Sequence, residues 1–395
     1  MTYSVIQDLI SAKISGEWGI DPVSDNFVKV LRTTNFSNEG RLNLSSVVER
    51  EIDEVKVQKK KLQYGDIIIE KSGGSPNQPV GRVVFFDIDD GNTYLCNNFT
   101  SILRPCDKVF PRYLFYCLFA LHLRKKTLAY QNKTTGIINL QLDRYLTTEK
   151  VPIPSLEDQK SIVRELDAAD ALRQKRKQAI ALLDDYLKAV FLEMFGDPVT
   201  NPKEWDRLYG DDYSELLTVG VVIRPASHYV SNGVIALRSL NIKKNAIDLR
   251  NIVHFSKESH NGILSKSTLH VNDVVIVRTG STGTAAVVPK ELDGVNCIDL
   301  IIVRPIQKIL NPFYFSFLLN SERGVSLVAS KEVGGIQKHF NIGALKKLPI
   351  PIPPIELQNK FADIVRKVEK IRGTMNLQSG YMENSFNALM QEVFS

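Results

Sequence analysis

Val151-Pro152-Ile153-Pro154-Ser155-Leu156-Glu157-Asp158-Gln159 is written a second time, 199 residues on, as Ile350-Pro351-Ile352-Pro353-Pro354-Ile355-Glu356-Leu357-Gln358. Reading backwards, Arg104-Pro105 and the aromatic run Phe110-Pro111-Arg112-Tyr113-Leu114-Phe115 meet Arg304-Pro305 and Leu310-Asn311-Pro312-Phe313-Tyr314-Phe315. Further back, Leu62 to Gly73 meets Leu269 to Gly280, and Leu31-Arg32-Thr33-Thr34-Asn35 meets Leu237-Arg238-Ser239-Leu240-Asn241. An order that holds while the offset drifts by a few residues is the mark of a duplication with loop insertions.

Each copy has two parts. The first, about 150 residues, is made of short β-branched and aromatic runs between Gly, Asn and Asp, the sequence pattern of strands and turns. It predicts strands at Asp66 to Glu70, Val80 to Phe86, Asp273 to Arg278 and Asn296 to Arg304, in a mixed, strongly curved sheet, with helices at Pro111 to Leu121 and Pro312 to Ser321. The second part, about 40 residues, is helical. Ser155 is a fair N-cap with Glu157 and Asp158 in the first turn, and Pro354 suits the first helical position.

Apolar residues then recur at Ile162, Leu166, Ala169, Leu172, Ala179, Leu183, Leu187, Val190 and Met194. The second copy repeats the spacing with Phe361, Val365, Val368, Ile371, Gln378, Met382, Phe386, Leu389 and Val393. The seam is interrupted near its middle, where Arg176 and Met375 share a phase. A rod of this length, about 60 Å, does not bury a narrow stripe against one small domain, so the two rods are expected to pair as an antiparallel coiled coil with the globular parts at opposite ends. Gly373 and Gly380, each costing about 1 kcal/mol in a helix interior, count for the plainer arrangement in which each helix packs on its own domain.

The expected fold class is α+β: a tandem pseudo-two-fold repeat of two mixed α/β domains separated by two long antiparallel coiled-coil helices. The expected boundaries are 1–150 for the first domain, 151–197 for the central spacer helix, 198–348 for the second domain and 349–395 for the C-terminal helix.

Composition agrees with two or three globular domains. The chain has 395 residues, 43% hydrophobic and 24% charged, ordinary values for a globular protein. The formal charge of +6 permits an acidic partner without demanding one. There is no basic and apolar leader at the start and no apolar run of spanning length, so neither secretion nor membrane insertion is indicated. Cys96, Cys106, Cys117 and Cys297 form no CxxC pair and read as reduced thiols in a cytoplasm.

No catalytic signature is present: no phosphate-binding glycine loop, no dinucleotide fingerprint, no H-E-x-x-H, no zinc spacing and no base-methyltransferase Pro-Pro-Tyr run. Glu54-Val55-Lys56 has the E-x-K of a nuclease but lacks a Pro-Asp partner. The six histidines are scattered and read as surface or packing residues.

What recurs is a polar, glycine-bearing turn after a buried strand: Lys71-Ser72-Gly73-Gly74-Ser75-Pro76-Asn77, and Arg278-Thr279-Gly280-Ser281-Thr282-Gly283. A basic side chain, hydroxyls and open backbone amides suit a phosphate or a base edge. A second recurrent pair, Asn132-Lys133-Thr134-Thr135-Gly136 and Glu332 to His339, precedes each Pro-Ile-Pro. The candidate DNA contacts are therefore Lys71, Ser72, Arg278, Thr279 and Ser281, with Arg32, Arg238, Lys133 and Lys338 nearby. The basic run Arg173 to Gln178 reads as a solvated helix face or a docking surface.

In order and motif the whole chain resembles the specificity subunits of Type I DNA restriction-modification systems. Leu348 to Gln358, Val151 to Gln159, and Met194-Phe195-Gly196-Asp197-Pro198-Val199-Thr200-Asn201-Pro202-Lys203-Glu204-Trp205 carry the likeness; the last run looks like the junction between central helix and second recognition domain. The resemblance implies two target recognition domains, each reading half of a bipartite double-stranded DNA site, and spacer helices that bind two methyltransferase subunits. It implies a non-catalytic chain without cofactor, with S-adenosylmethionine, ATP and Mg on the methyltransferase and restriction subunits. A nuclease or methyltransferase with an unrecognised active site, or a scaffold without DNA affinity, are the alternatives.

Overall fold

The computed structural model describes residues 2–23, 27–75, 78–134, 137–222, 224–330 and 339–394. They form two compact units, Met1–Arg176 with Gln378–Ser395, and Lys177–Leu377.

The first unit is built on a four-stranded antiparallel sheet in the order Ile10–Ser15, Thr100–Pro105, Ile67–Glu70, Val83–Phe85. The second repeats it as Ser214–Val219, Leu300–Pro305, Val274–Val277, Ala285–Val287. Even the irregular register near the start of the edge strand recurs, between Ile10 and Ala12 and between Ser214 and Leu216. A continuous apolar run in a central strand means both faces are covered. Accordingly Ile67 and Ile69 enter one core cluster and Ile68 another, and Val274 and Ile276 separate from Val275 and Val277 in the same way.

The single mixed sheet expected per copy is instead divided. A second, smaller sheet carries a parallel strand pair in each unit: Val28–Leu31 beside Tyr94–Cys96, and Val234–Leu237 beside Asn296–Cys297. Asn97 to Phe99 and Ile298 to Asp299 lie between the two ladders, so one run of chain serves two sheets.

The repeated Pro-Ile-Pro stretch has a local physical logic. Its prolines donate nothing, and their carbonyls need partners. Tyr113 Oη donates to Pro152 O at 2.9 Å and Tyr314 Oη to Pro351 O at 2.8 Å. Gln159 and Gln358, both fully buried, donate through Nε2 to Pro154 O and Pro353 O. Their Oε1 atoms accept the amides of Phe110 and Asn311, at the N-terminus of the Pro111–Leu123 and Pro312–Asn320 helices. One glutamine thus joins two helix starts and a proline turn in each copy.

The long helices run Leu156–Phe195 and Ile355–Phe394, 40 residues each. In the second unit they pair antiparallel, Asp184 with Arg372 and Phe191 with Phe361. In the first, Arg173 meets Glu383 and stacks on Phe386. The expected seam needs correction. Leu172 is 57% exposed and Ile371 50%, whereas Val163, Leu166, Asp170, Arg173, Leu187, Phe191 and Phe195 are buried. The inward phase passes one residue beside the apolar one at mid-helix because a charged network occupies it. Asp170 binds Arg173 and Arg41, Arg173 forks onto Glu383, and Arg372 donates one bond from Nη2 to Asp184. Arg173 of the basic run is thus a buried packing residue, while Lys175 and Lys177 face solvent.

All four cysteines are free thiols. Among the described residues no helix is long and apolar enough to cross a membrane. His122, in the first unit, is half-buried: its Nδ1 has no partner, and burial, with the charge of Arg82, pushes its pKa down to about 4. A histidine held below its unfolded value of about 6.5 contributes stability that is complete above that value and is lost as pH falls toward 4. The stability of the first unit is expected to fall by about 2–3 kcal/mol from pH 7 to pH 4 through this group. In His122→Gln, urea titrations across that range should give a shallower pH dependence.

Candidate nucleic-acid interface

Both glycine turns leave the same place, the end of the buried central strand. After Glu70 the chain runs on as a short strand, Ser72–Gly74, that pairs with Ile137–Leu140 of a hairpin. This pairing brings the two recurrent motifs of the first copy together. Lys71 donates from Nζ to Ser15 Oγ at 3.1 Å, and burial lowers the pKa of its ammonium. Ser72 Oγ donates to Asn139 Oδ1 at 2.5 Å. Gly73 has φ +98° with open space where a Cβ would point, so the backbone there is accessible to a ligand. Lys133 lies in the hairpin strand Gln131–Thr134, with its side chain outside the described residues.

In the second copy Arg278 Nη1 binds Asp299 Oδ1 at 2.5 Å, and Thr279 Oγ1 shares a hydrogen bond with His339 Nδ1 at 2.9 Å. Phe340 N donates to Arg278 O at 3.1 Å, so here too the segment before Pro-Ile-Pro reaches the turn. Ser281 is exposed between Gly280 and Gly283, both at positive φ. Lys338 lies outside the described residues.

Arg32 and Arg238 stand apart from this arrangement. Each precedes a short 3-10 turn, Thr33–Asn35 and Ser239–Asn241, and donates its backbone N–H to Asn35 Oδ1 and Asn241 Oδ1. Each guanidinium binds a loop carbonyl, Ser46 O and Asn251 O, while its Nε is buried without a partner. The pair of arginines braces a loop in both copies.

Sequence reasoning missed four partners at the turns: Asn139, Asp299, Glu70 and Arg82. Asp299 had one signal, its place before an apolar strand, and it takes φ +50° there. The other three are legible only from pairings between distant segments. Asp299 engages one Nη of Arg278, and a guanidinium carries five N–H donors, so a phosphate can bind beside the carboxylate. On the reading that this turn meets DNA, Arg278→Ala is expected to reduce the salt slope of binding by about one and to weaken all sequences alike, or, if Arg278 meets guanine, to relax one position at about 1–3 kcal/mol. Filter binding at four salt concentrations separates these, and unchanged affinity at every salt removes Arg278 from the interface.

The two compact units are equivalent loop-bearing α+β folds, each presenting a polar turn at the end of its buried central strand. Comparison with known proteins agrees: residues 23–182 and 242–378 match the model of the Type I restriction modification DNA specificity domain, and the chain belongs to that family. It is 25% identical over 256 residues to the Type I restriction enzyme EcoBI specificity subunit of Escherichia coli, covering 58% of this chain and 52% of that one. It is 25% identical over 275 residues to the Type I restriction enzyme MjaVIII specificity subunit of Methanocaldococcus jannaschii, covering 66% and 63%. The chain thus spans about half to just under two thirds of these relatives' length. In fold it is similar to the S subunit of the Type-I restriction-modification system from M. genitalium, with a TM-score of 0.56 at 14% identity over 100% of this chain and 96% of that. A chain from a structural study of assembly and conformational transition in the type I R-M system gives 0.59 at 16% identity, over 99% and 97%.

Proposed function

We propose that the chain is the sequence-reading, non-catalytic subunit of a Type I restriction-modification complex, which recognises double-stranded DNA through two domains and scaffolds methyltransferase subunits. The observation that carries this is the recurrence of one strand-to-turn arrangement in two separately packed units, with unlike residues at the tips. Residues 1–150 and 198–348 are the recognition domains in this reading, and 151–197 and 349–395 the spacers. Two methyltransferase subunits and restriction subunits are its protein partners, S-adenosylmethionine, ATP and Mg act on those subunits, and the complex works in the cytoplasm. Lys71, Ser72, Arg278, Thr279 and Ser281 are its reading residues.

Since the turn Lys71-Ser72-Gly73-Gly74 differs from Arg278-Thr279-Gly280-Ser281, the halves of the target should be unlike and separated by a fixed unspecified spacer. Modification mapping in a host carrying this chain and its methyltransferase partner is expected to return such a split motif. One continuous motif, or a perfect palindrome, would overturn the reading. Incubation of the purified chain with labelled S-adenosylmethionine and DNA separates it from a methyltransferase: transfer should begin only when the partner is added.

A further inference from the structure

The two reading turns differ in more than their tips. Glu70 N donates to Arg82 O in the first copy and Val277 N to Thr284 O in the second, which makes the two pairs structurally equivalent. Eleven residues separate the first pair and six the second, so the first turn carries an insertion of five. The short turn closes on itself, with Gly283 N donating back to Val277 O at 2.9 Å. The long one is closed by a buried ion pair. Arg82 forks onto Glu70 at 2.9 Å through both Nε and Nη2, and the two residues are 8% and 2% exposed.

The same guanidinium donates to Phe36 O at 3.0 Å and to Thr33 O at 3.1 Å. With its amide oxygen turned inward, Gln78 accepts from Arg82 at 2.7 Å. Arg82 therefore ties three segments together: the strand end that launches the turn, the far side of the turn, and the 3-10 turn after Arg32. These segments form an open cleft whose walls include Thr33, Thr34, Gly73 and Ser75 and whose floor is Glu70 and Arg82. A buried ion pair is a weak source of net stability, since apolar residues of similar volume usually serve as well. The second copy is built in that way, with Val277 fully buried at the position of Glu70.

We propose that Arg82 and Glu70 are positioning residues for the first reading turn, and that they set base discrimination at one half of the DNA target and leave the other half alone. The proposal rests on the reading of the chain as a DNA specificity subunit. Arg82 acts through the turn, and its fork fixes the distance between the Gly73 backbone and the Thr33 turn across the cleft.

The test is selection of a duplex library with two randomised halves by the full-length chain, followed by sequencing. Glu70→Leu combined with Arg82→Met removes both charges and keeps the volume. The preference for favoured over disfavoured bases is expected to fall about tenfold at one half and to stay within twofold of wild type at the other. Arg82→Lys, which keeps the charge and loses the fork, should fall between wild type and the double variant, and it decides by the same criterion if the double variant does not fold. Discrimination unchanged at both halves, or lost equally at both, overturns the assignment. A wild-type chain that enriches no split site overturns the functional reading itself, and this assignment with it; a wild type that enriches one beside a variant that enriches the same one overturns the assignment alone.

Discussion

Phe386→Asp is expected to destabilise the first unit by about 4–5 kcal/mol, while Leu172→Asp changes it by less than about 1 kcal/mol. By apolar spacing the two residues are equivalent members of one helical seam. By position they are opposites: Phe386 is 3% exposed, lies against Arg173 with the guanidinium 4.2 Å from its ring centre, and belongs to the first core with Met390 and Phe394, whereas Leu172 is 57% exposed. A carboxylate in place of Phe386 is buried next to Glu383 and Asp170, which already share Arg173. The aspartate at 172 keeps its water. Thermal melts followed by circular dichroism check this, and equal losses in the two variants would show that the helices meet along the apolar stripe after all.

That contrast marks where the sequence is legible and where it stops being so. The duplication, the 40-residue helices and the proline turns follow from local rules: residue spacing, missing amide donors, and caps. The inward phase at mid-helix does not, because Asp170, Arg173 and Arg372 turn inward one residue beside Ala169, Leu172 and Ile371, where periodicity places the seam. A polar residue reads as inward only once its partner is known, and Arg41 and Glu383 are 129 and 210 residues from Asp170 and Arg173 respectively. The lack of a uniform dry seam has a physical counterpart in the exposed Ile371, Leu377 and Tyr381.

At the candidate interface the same division holds. Lys71, Ser72, Arg278, Thr279 and Ser281 are candidates because repetition singles out a turn that is otherwise commonplace. Arg32 and Arg238 repeat just as faithfully, and each guanidinium also holds a loop carbonyl through one Nη. Recurrence selects for what both copies need, and folding needs are shared by both copies as surely as binding needs. The insertion that lengthens the first turn was visible as a drift in the offset, but the ion pair it brought was not, since Glu70 and Arg82 meet only through strand pairing.

Arg104→Met and Arg304→Met are each expected to cost about 3–5 kcal/mol, and their effects should add. Asp66 and Asp273 are each 1% exposed in their side chains and accept the matching arginine through Nε and Nη2 at 2.8–2.9 Å. Each also accepts a backbone amide three residues earlier, from Gln63 and His270, at 2.8 Å. The carboxylate is thereby fixed at the start of the central strand, and hydrogen bonding to it raises the pKa of either arginine further. Methionine keeps the side-chain length and removes the charge, leaving a buried carboxylate with a single donor. Asp66→Asn in the Arg104→Met background takes away the uncompensated charge while keeping an acceptor for Gln63, so it should recover a large part of the loss. The two pairs belong to separate compact units, and sites without shared partners combine within about 0.5 kcal/mol. Urea titrations of the two single variants and the double variant give the coupling directly. A coupling above about 1 kcal/mol would mean that the two copies, though each carries its own aspartate and arginine, do not hold their sheets independently.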